Sequence, residues 1–392
     1  MTERVADRAR KETQVEPVVA NTRHAGRVSA ELPRRVWLVL GDKLGDNGQV
    51  EIIADALGWP VERKKLRVLP QYVLGKPPFR PSLYHIDPKA SDPLAPPWPD
   101  LVLTVGRRPS MAALWIKEQS DGRTKVLIVG RPRTRLRDFD LIVATPQYRL
   151  PEHGNVVRID LPLMRVDPAK VAAAADAWRE RLAGLPRPLT AVLVGGPTKP
   201  FVFDAEVTAN FISALRRTTR DRGSLFITTS RRTPAAVVAA LEANLPENAQ
   251  LYVWSLKATE NPYMGLLGLA DQFVVTGDSL SMMIEVARIG RPLAIFQLPI
   301  ERSAGVFARM LLARAFQPAP GTGRSNVLTR IGDAFHNMGL VGYAKDTEEV
   351  HRRLVAGGFA VLLGEAFAAP RDQVPDDAQR IAERLRAQFN PR

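Results

Sequence analysis

The hydrophobic and polar positions along the chain follow two alternating patterns. Short runs of consecutive apolar residues, typical of buried parallel strands, are separated by stretches in which apolar residues recur every three or four positions, as in amphipathic helices. In the first half of the chain we predict strands at 36–40, 66–69, 101–105, 125–129, 141–144 and 156–159, and helices at 48–57 and 109–120. This alternation predicts a parallel α/β architecture.

The same alternation starts again in the second half of the chain. Residues 165–188 are rich in alanine and end in prolines, which predicts a helix that leads into a linker. After it we predict strands at 189–194, 224–229, 250–254, 272–276 and 292–297, and helices at 205–221, 233–244, 262–269, 280–289, 303–315, 325–339, 347–356 and 375–389. The predicted fold class is therefore α/β, with two Rossmann-like domains that face a cleft.

Changes in composition suggest where these domains begin and end. We expect a disordered basic leader, two Rossmann-like domains with a linker between them, and a C-terminal helix. The predicted bounds are 1–35 for the leader, 36–165 for the first domain, 166–188 for the linker, 189–365 for the second domain and 366–392 for the helix. Within the first domain, the stretch 74–99 is rich in proline and aromatic residues and is predicted to be a long connection.

Composition narrows the chemistry that the chain can perform. The chain has no cysteine, and its five histidines show no metal-binding spacing, so we predict no metal site and no cofactor. A formal net charge of +14 favours anionic partners such as acidic lipid headgroups or phosphorylated small molecules. No zinc-finger, helix-turn-helix or RNA-recognition signature accompanies the charge, so nucleic acid is not expected. Because the chain lacks a long apolar run and a signal-peptide core, we expect a cytoplasmic protein that is peripheral at the inner face of the membrane.

Ligands of open α/β sheets bind beyond the carboxyl ends of the strands, which directs attention to the loops there. The first is "GDKLGDNGQ", residues 41–49, whose glycine spacing fits neither a Walker A motif nor G-x-G-x-x-G. The substrate-binding candidates here are Gly41, Lys43, Gly45, Asn47 and Gln49, and the candidate catalytic bases are Asp42 and Asp46. The alternative is a simple turn in which Asp46 or Asn47 is the helix N-cap.

Two loops of the second half have residues suited to binding an anion. In "VLVGGPTKPFVFD" (192–204) two glycines allow close backbone approach to a phosphate, and in "FITTSRRTP" (226–234) hydroxyls and arginines precede a helix. The candidates are Gly195, Gly196, Thr198, Lys199, Ser230 and Arg231. The alternatives are an ordinary glycine turn, and a helix cap at Ser230 or Thr233 beside solvated arginines.

The most informative loop is "TGDSLSMMIEVARIGRP", residues 276–292. A strand ends at Gly277 and Asp278, a helix opens with Ser279 and Ser281, and Glu285 follows on the same helical face. The helix start can bind a diphosphate, and Glu285 can accept hydrogen bonds from a ribose. The alternative is that Ser279 merely caps the helix and that Glu285 is an ordinary surface glutamate.

These segments resemble known proteins. The stretch with Glu285 and "GRP" resembles the donor-site segment of GT-B glycosyltransferases. The chain as a whole, over residues 36–365, is similar to the mitochondrial-fission ELM-one-like family in "GDKLGDNGQVEIIADALG", "LVLTVGRRPSMAALWIK", "LVGGPTKPFVFD", "LFITTSRRTP" and "ENPYMGLLGLADQFVVTGDSLSMMIEVARIGRPLAIF". Family members often have "DGKAGHxNQ" at the first turn. Asp46 or Asn47 stands here at the histidine position, so the resemblance does not identify the base.

The resemblance implies a metal-independent glycosyltransferase that moves a sugar from a nucleotide-diphosphate donor to an envelope or lipid-linked glycan acceptor. The backbone N–H groups at 279–281 would then bind the leaving diphosphate, with Lys43, Lys199 or Arg231 as cation. The family also leaves two alternatives open. One is a non-catalytic adaptor, since plant members are implicated in recruiting a fission dynamin, and the other is a non-hydrolysing nucleotide-sugar epimerase.

Overall fold

The computed structural model describes residues 34–42, 44–73, 79–197, 200–218, 223–301, 331–332, 334–335, 346, 348–370 and 372–389, without the side chains of 44–46. The described residues contain two six-stranded parallel sheets, in the order β2-β1-β3-β4-β5-β6 and β12-β11-β10-β7-β8-β9. The predicted α/β fold class is therefore confirmed. Both sheets lie in one compact unit, Arg34–Arg392.

The first sheet and its helices come mostly from the first half of the chain. Its strands are β1 (Val36–Leu40), β2 (Val61–Lys65), β3 (Leu101–Val105), β4 (Lys125–Val129), β5 (Leu141–Ala144) and β6 (Val156–Arg158). Its helices are α1 (Leu44–Leu57), the short α2 (Pro70–Val73) and α3 (Arg107–Gln119). Side chains of β1 point alternately to two cores: Leu38 packs with α1, whereas Trp37 and Val39 pack with α3.

The second sheet follows a long connecting helix. Its strands are β7 (Leu189–Val194), β8 (Ser224–Thr229), β9 (Ala249–Tyr252), β10 (Gln272–Thr276), β11 (Leu293–Phe296) and β12 (Val361–Leu362). The helices are α4 (Pro168–Ala183), α5 (Ala205–Thr218), α6 (Ala235–Ala243), α7 (Tyr263–Leu269), α8 (Leu280–Arg288), α9 (Glu348–Ala356) and α10 (Asp377–Phe389). Asp167 caps α4 by accepting from the N–H groups of Ala169 and Lys170.

The last helix, α10, returns to the first sheet. Its buried residues Ile381, Ala382 and Leu385 pack in the same core as Ile53 of α1. Most of its charged side chains are exposed, as expected for an amphipathic helix, but Asp377 is buried and Arg386 donates to the carbonyl oxygens of Ala56 and Leu57 at the end of α1. The C-terminal end of the chain therefore helps to cover the sheet with which the chain begins.

Most predicted strands are found within one or two residues of their predicted positions, but one prediction is wrong. The sequence pattern predicts a strand at 66–69, whereas the strand is the polar segment Val61–Lys65. This segment forms the edge of the sheet, and Lys64 is its one buried residue, with the ammonium group 4.5 Å from the centre of the Trp37 ring. Leu66 follows the strand and is buried. Its apolar character therefore reflects its burial and does not show that it belongs to the strand.

One helix prediction changes, and two others are mostly or wholly untested. Helix α1 begins at Leu44, four residues before the predicted start, and therefore includes Gly45, Asn47 and Gly48 of the predicted turn. The predicted helix 303–315 and most of 325–339 lie outside the described residues. Among the residues that the structure describes, no helix has the length and apolar character needed to cross a bilayer.

Candidate functional site

Each sheet has a point at which the direction of strand order reverses. In the first sheet β1 pairs with β2 on one side and with β3 on the other, and β4, β5 and β6 continue the sheet beyond β3. In the second sheet β8 and β9 extend from β7 in one direction, and β10 to β12 extend in the other. Ligands of open α/β sheets bind beyond the carboxyl ends of the strands at such reversals. We therefore expect a ligand at the loops after β1 and β3, and another at the loops after β7 and β10.

In the second sheet, the loops after β7 and β10 are joined by hydrogen bonds. The N–H of Gly195 donates to Thr276 Oγ1 at 2.8 Å, and the N–H of Gly196 donates to Asp278 Oδ2 at 2.9 Å. The Asp278 side chain is fully buried and also accepts hydrogen bonds from the hydroxyls of Thr276 and Ser279, at 2.8 and 3.2 Å. Asp278 therefore fixes the shape of both loops.

Both glycines are required by close packing. A Cβ on Gly195 would lie 2.1 Å from Ser279 Oγ, and a Cβ on Gly196 would lie 1.9 Å from the carbonyl oxygen of Arg232. Neither distance is compatible with a side chain unless the backbone moves. The adjacent glycines thus allow the loops after β7, β8 and β10 to meet.

The loop after β8 completes this arrangement. Thr233 Oγ1 donates to the carbonyl oxygen of Gly195 at 2.7 Å and accepts from the N–H of Ser230 at 2.8 Å. The guanidinium of Arg232 lies 3.8 Å from Asp278, and the Arg231 side chain is exposed. Ser230 and Thr233 stabilise the turn and do not cap α6, whose N-cap residue is Pro234. The predicted candidates Thr198 and Lys199 lie outside the described residues.

Helix α8 begins at this meeting point of the loops. Ser279 is at its N-cap position, but its hydroxyl donates to Asp278 and makes no capping hydrogen bond. The interpretation of Ser279 as a side-chain cap is therefore wrong. The first N–H groups of α8 keep the partial positive charge of a helix N-terminus, and the half-buried Ser281 lies in this first turn.

Glu285 lies one turn further along α8 and is half-buried. It accepts a hydrogen bond from the hydroxyl of Tyr263, through Oε2. Burial raises the pKa of Glu285, an effect that the Tyr263 hydrogen bond partly offsets. Burial and the neighbouring carboxylate raise the pKa of Tyr263 well above its ordinary value. Glu285 is therefore not an ordinary surface glutamate.

A buried histidine holds the loop after β10 in place. His351, on α9, donates from Nε2 to the carbonyl oxygen of Gly277 at 2.7 Å, and its ring stacks on Phe201. Burial lowers the pKa of His351, so the ring is neutral and the Gly277 contact fixes the proton on Nε2. The sequence analysis did not identify His351 or Tyr263. Tyr263 lies in "ENPYMG", at the start of a segment that carries the family resemblance, but nothing in the sequence indicates the contact of His351 with Gly277.

The first sheet has a pocket of about 140 Å³ at its own reversal point. Gly41 and Asp42 come from the loop after β1 and Asn47 from α1, whereas Gly106 follows β3 directly and Arg107 and Arg108 open α3. The structure thus brings three of the predicted first-domain candidates together. Among the residues that the structure describes, no group of three or more acidic or histidine side chains is arranged to hold a metal ion.

The candidates of this loop have different environments. The Asp42 carboxylate is half-exposed and forms an ion pair with Arg67. The amide Nδ2 of Asn47 donates to the carbonyl oxygen of Gly41 at 2.8 Å from inside α1, so Asn47 is not the N-cap. Gln49 is buried and does not line the pocket. Lys43 and the side chain of Asp46 lie outside the described residues, and Gly45 is described only as backbone of α1.

Comparison with known proteins gives consistent sequence matches. A family model described as "Mitochondrial fission ELM1" matches residues 45–318. The "Mitochondrial fission protein ELM1" of Arabidopsis thaliana is 30% identical over 220 residues, which are 50% of this chain and 51% of that protein. The chain therefore spans about half the length of that relative. "Uncharacterized protein RP120" of Rickettsia prowazekii (strain Madrid E) is 27% identical over 306 residues, 67% of this chain and 83% of that protein.

Two solved structures are distant matches. A glycosyltransferase from Rickettsia africae ESF-5 is 11% identical, with a TM-score of 0.42, covering 91% of this chain and 99% of that chain. A UDP-GlcNAc 2-epimerase from Methanocaldococcus jannaschii is also 11% identical, with a TM-score of 0.45, covering 90% of this chain and 99% of that chain.

Proposed function

The chain belongs to the mitochondrial fission ELM1 family, and from this premise we propose that it is a GT-B-type glycosyltransferase. In this proposal it transfers a sugar from a nucleotide-diphosphate donor to an acceptor hydroxyl. The donor binds at the reversal point of the second sheet, and the acceptor binds at the pocket of the first sheet. The observation that carries the proposal is the meeting of three loops at the start of α8, with Glu285 one turn away.

The start of α8 supports the proposal because a departing diphosphate gains negative charge as the glycosidic bond breaks. Preorganised N–H groups at a helix N-terminus stabilise such charge without a metal ion. The buried Asp278 and the glycines hold this helix start in place before any ligand arrives. Arg231 and Ser230 lie on the neighbouring loop and are assigned to the phosphates, as is Ser281. Gly195 and Gly196, whose N–H groups donate to Thr276 and Asp278, are assigned to shaping the loop beside the phosphates.

Glu285 is assigned to the ribose of the donor. Its Oε2 is occupied by the Tyr263 hydroxyl, which fixes the carboxylate in one orientation. A ribose hydroxyl would therefore donate to Oε1. Tyr263 becomes a positioning residue for this interaction, because its phenol holds the carboxylate that contacts the ligand.

Asp42 is assigned as the base that accepts the proton of the acceptor hydroxyl. It lines the pocket of the first sheet and forms an ion pair with Arg67. We infer that the acceptor is an envelope or lipid-linked glycan. The net charge of +14 would favour work at the inner face of an anionic membrane, so we propose a cytoplasmic, peripheral location.

A thermal-shift screen against nucleoside diphosphates and nucleotide sugars tests the proposal. A ligand at about 100 times its Kd adds about 2.7 kcal/mol to the free energy of unfolding, which a melting curve resolves. We expect one nucleotide class to raise the melting temperature of the wild type, and Glu285→Gln to reduce this shift. Gln preserves the size of the side chain and can still accept from Tyr263.

The matched control is Glu242→Gln, which removes an exposed carboxylate on α6. Its ligand-induced shift should equal that of the wild type. If no nucleotide stabilises the wild type, or if both variants respond alike, the donor-site assignment is wrong.

A non-catalytic adaptor is the second candidate. It is favoured by the 30% identity to a plant protein that is named for mitochondrial fission and not for an enzymatic activity. An adaptor of this kind needs no nucleotide. A screen without any nucleotide-dependent shift would therefore favour the adaptor over the glycosyltransferase.

A further inference from the structure

Arginines from two loops gather at the carboxyl edge of the first sheet. Strands β3 and β4 are neighbours and Val105 pairs with Val129, so the loops that follow them leave the sheet side by side. Arg107 stands where the first connection enters α3, and Arg131 and Arg133 lie in the second. All three side chains are half-buried. We refer to Arg107, Arg131 and Arg133 as the arginine cluster.

Aromatic rings hold two members of the cluster in position. The guanidinium of Arg107 lies 5.8 Å from the centre of the Phe79 ring, and that of Arg131 lies 5.5 Å from the centre of the Tyr148 ring. Gly130 has a positive φ of 96° and brings the backbone close to Tyr148, where a Cβ would lie 3.3 Å from the ring. The loop is therefore shaped to place Arg131 over this ring.

The charges of the cluster act on one another. Burial lowers the pKa of all three guanidiniums, and each is lowered further by another member: Arg107 by Arg133, Arg133 by Arg131, and Arg131 by Arg107. Nearby tyrosines act in the opposite direction, since Tyr84 raises the pKa of Arg107, and Tyr148 raises the pKa of Arg131 and Arg133. Placing like charges together at a half-buried site costs stability, and a bound anion would reduce that cost.

The cluster adjoins the pocket of the first sheet. Arg107 lines that pocket together with Asp42, and it is the first residue of α3. The N-cap residue of α3 is Gly106, which has no capping side chain, so the N–H groups of the helix start also favour an anion here. Guanidiniums bind phosphate oxygens in a bidentate manner, which makes phosphate the anion that best fits this set of donors.

We propose that the arginine cluster binds a phosphate group of the acceptor, so that the substrate receiving the sugar is a phosphate ester or a diphosphate. The assignment of this anion to the acceptor rests on the proposed function. The anion site itself rests only on the geometry of the two loops and on the pocket beside them.

Calorimetric titration of the full chain with inorganic pyrophosphate tests the site. Arg133→Gln removes one member of the cluster, and loss of one charged hydrogen-bond donor should weaken binding about tenfold. The matched control is Arg137→Gln, which removes the same charge from an exposed position four residues away. Its affinity should remain that of the wild type. Equal affinities in all three proteins, or no binding at all, would overturn the proposal.

Thermal stability separates a binding role from a structural one. Without an anion, Arg133→Gln should melt at or above the temperature of the wild type, because it relieves repulsion within the cluster. With pyrophosphate, the wild type and Arg137→Gln should gain more than Arg133→Gln. A lower melting temperature of Arg133→Gln without anion, together with an unchanged gain, would show a purely structural arginine and contradict the proposal.

Vesicle sedimentation identifies the source of the phosphate. Phosphatidylcholine vesicles with and without phosphatidic acid present the same phosphate chemistry at a lipid surface. Binding to the phosphatidic acid vesicles that is weakened by Arg133→Gln and not by Arg137→Gln supports a lipid-borne phosphate. Pyrophosphate binding without vesicle binding supports a soluble phosphorylated acceptor.

These results are independent of the nucleotide screen. Pyrophosphate bound at the start of α8 would be insensitive to both arginine variants, whereas nucleotide binding there depends on Glu285. Pyrophosphate binding that requires Arg133, in a protein that no nucleotide stabilises, supports the anion site and rejects the glycosyltransferase. Nucleotide binding together with unchanged pyrophosphate affinity in Arg133→Gln rejects the anion site alone.

Discussion

His351 shows how a single buried side chain supports the site. Its neutral ring holds the Gly277 carbonyl, and burial lowers its pKa below the ordinary 6.5. The unfolded chain therefore binds a proton at this residue at a higher pH than the folded chain does. The stabilising effect is complete above pH 6.5 and is lost as the pH falls through the lowered pKa of the folded state.

We therefore expect the wild type to lose more stability than His351→Gln when the pH falls from neutrality to about 5. Gln keeps an N–H donor for Gly277 but does not titrate. Free energies of unfolding from urea titrations at several pH values measure this difference. The comparison with His351→Gln removes the contribution of His85, whose pKa burial also lowers. Parallel pH profiles of the two proteins would show that His351 is not buried as a neutral ring.

At the scale of single residues, the sequence identifies candidate site residues better than it identifies their contacts. The glycines at 195 and 196 are identified from the sequence, because adjacent glycines indicate close backbone approach. The structure adds what they approach, namely Ser279 and the Arg232 carbonyl. Tyr263 precedes its partner Glu285 by 22 residues, and the partner of His351 is 74 residues away. No local pattern encodes such contacts.

Among the elements, α10 carries the least expected packing. It follows the second sheet in sequence and yet fills the core beneath the first sheet with Ile381, Ala382 and Leu385. Its three-to-four-residue spacing of apolar positions predicts the helix, but the sequence does not indicate which sheet it covers. A narrow apolar stripe on a charged helix shows which face of the helix is buried, but it does not show which surface that face covers.

Ile381→Ala should lower the free energy of unfolding by about 3 kcal/mol, because the side chain is fully buried and its removal leaves a cavity. Urea denaturation followed by circular dichroism measures the change. The control is Glu383→Ala, at an exposed position of the same helix, which should change stability by less than about 0.5 kcal/mol. Similar small effects of both substitutions would mean that α10 does not pack on α1.

Whether a strand is central or at the edge of its sheet determines whether the sequence predicts it. Central strands such as β3 and β4 are buried on both faces, so they appear as continuous apolar runs and are predicted correctly. The edge strand β2 is mostly polar, and of the apolar residues that follow it Leu66 is buried while Val68 and Leu69 are half-buried. Edge strands and short strands such as β12 lack the hydrophobic signal on which the prediction depends.

In the whole molecule, each sheet binds one substrate of the proposed reaction. The second sheet presents rigid loops and the start of α8, which suit a donor diphosphate, and the first presents a pocket beside the arginine cluster, which suits a phosphorylated acceptor. Contacts connect the halves: Arg149, which follows β5, forms a 2.7 Å ion pair with Asp346, and the N–H of Asp346 donates to the Gln147 carbonyl oxygen. Asp346 also pairs with Arg352 of α9, the helix that carries His351. These contacts link the segment after β5 to the helix that carries His351.

The central claim is that the start of α8 binds a nucleotide diphosphate, and calorimetric titration tests it most directly. For the base identified in the thermal-shift screen, the diphosphate, the monophosphate and the nucleoside would each be titrated into the wild type and into Glu285→Gln. We predict at least about tenfold tighter binding of the diphosphate than of the monophosphate, and weaker binding of all three to Glu285→Gln. Equal affinities for the diphosphate and the nucleoside, or no binding of any diphosphate, would contradict the account.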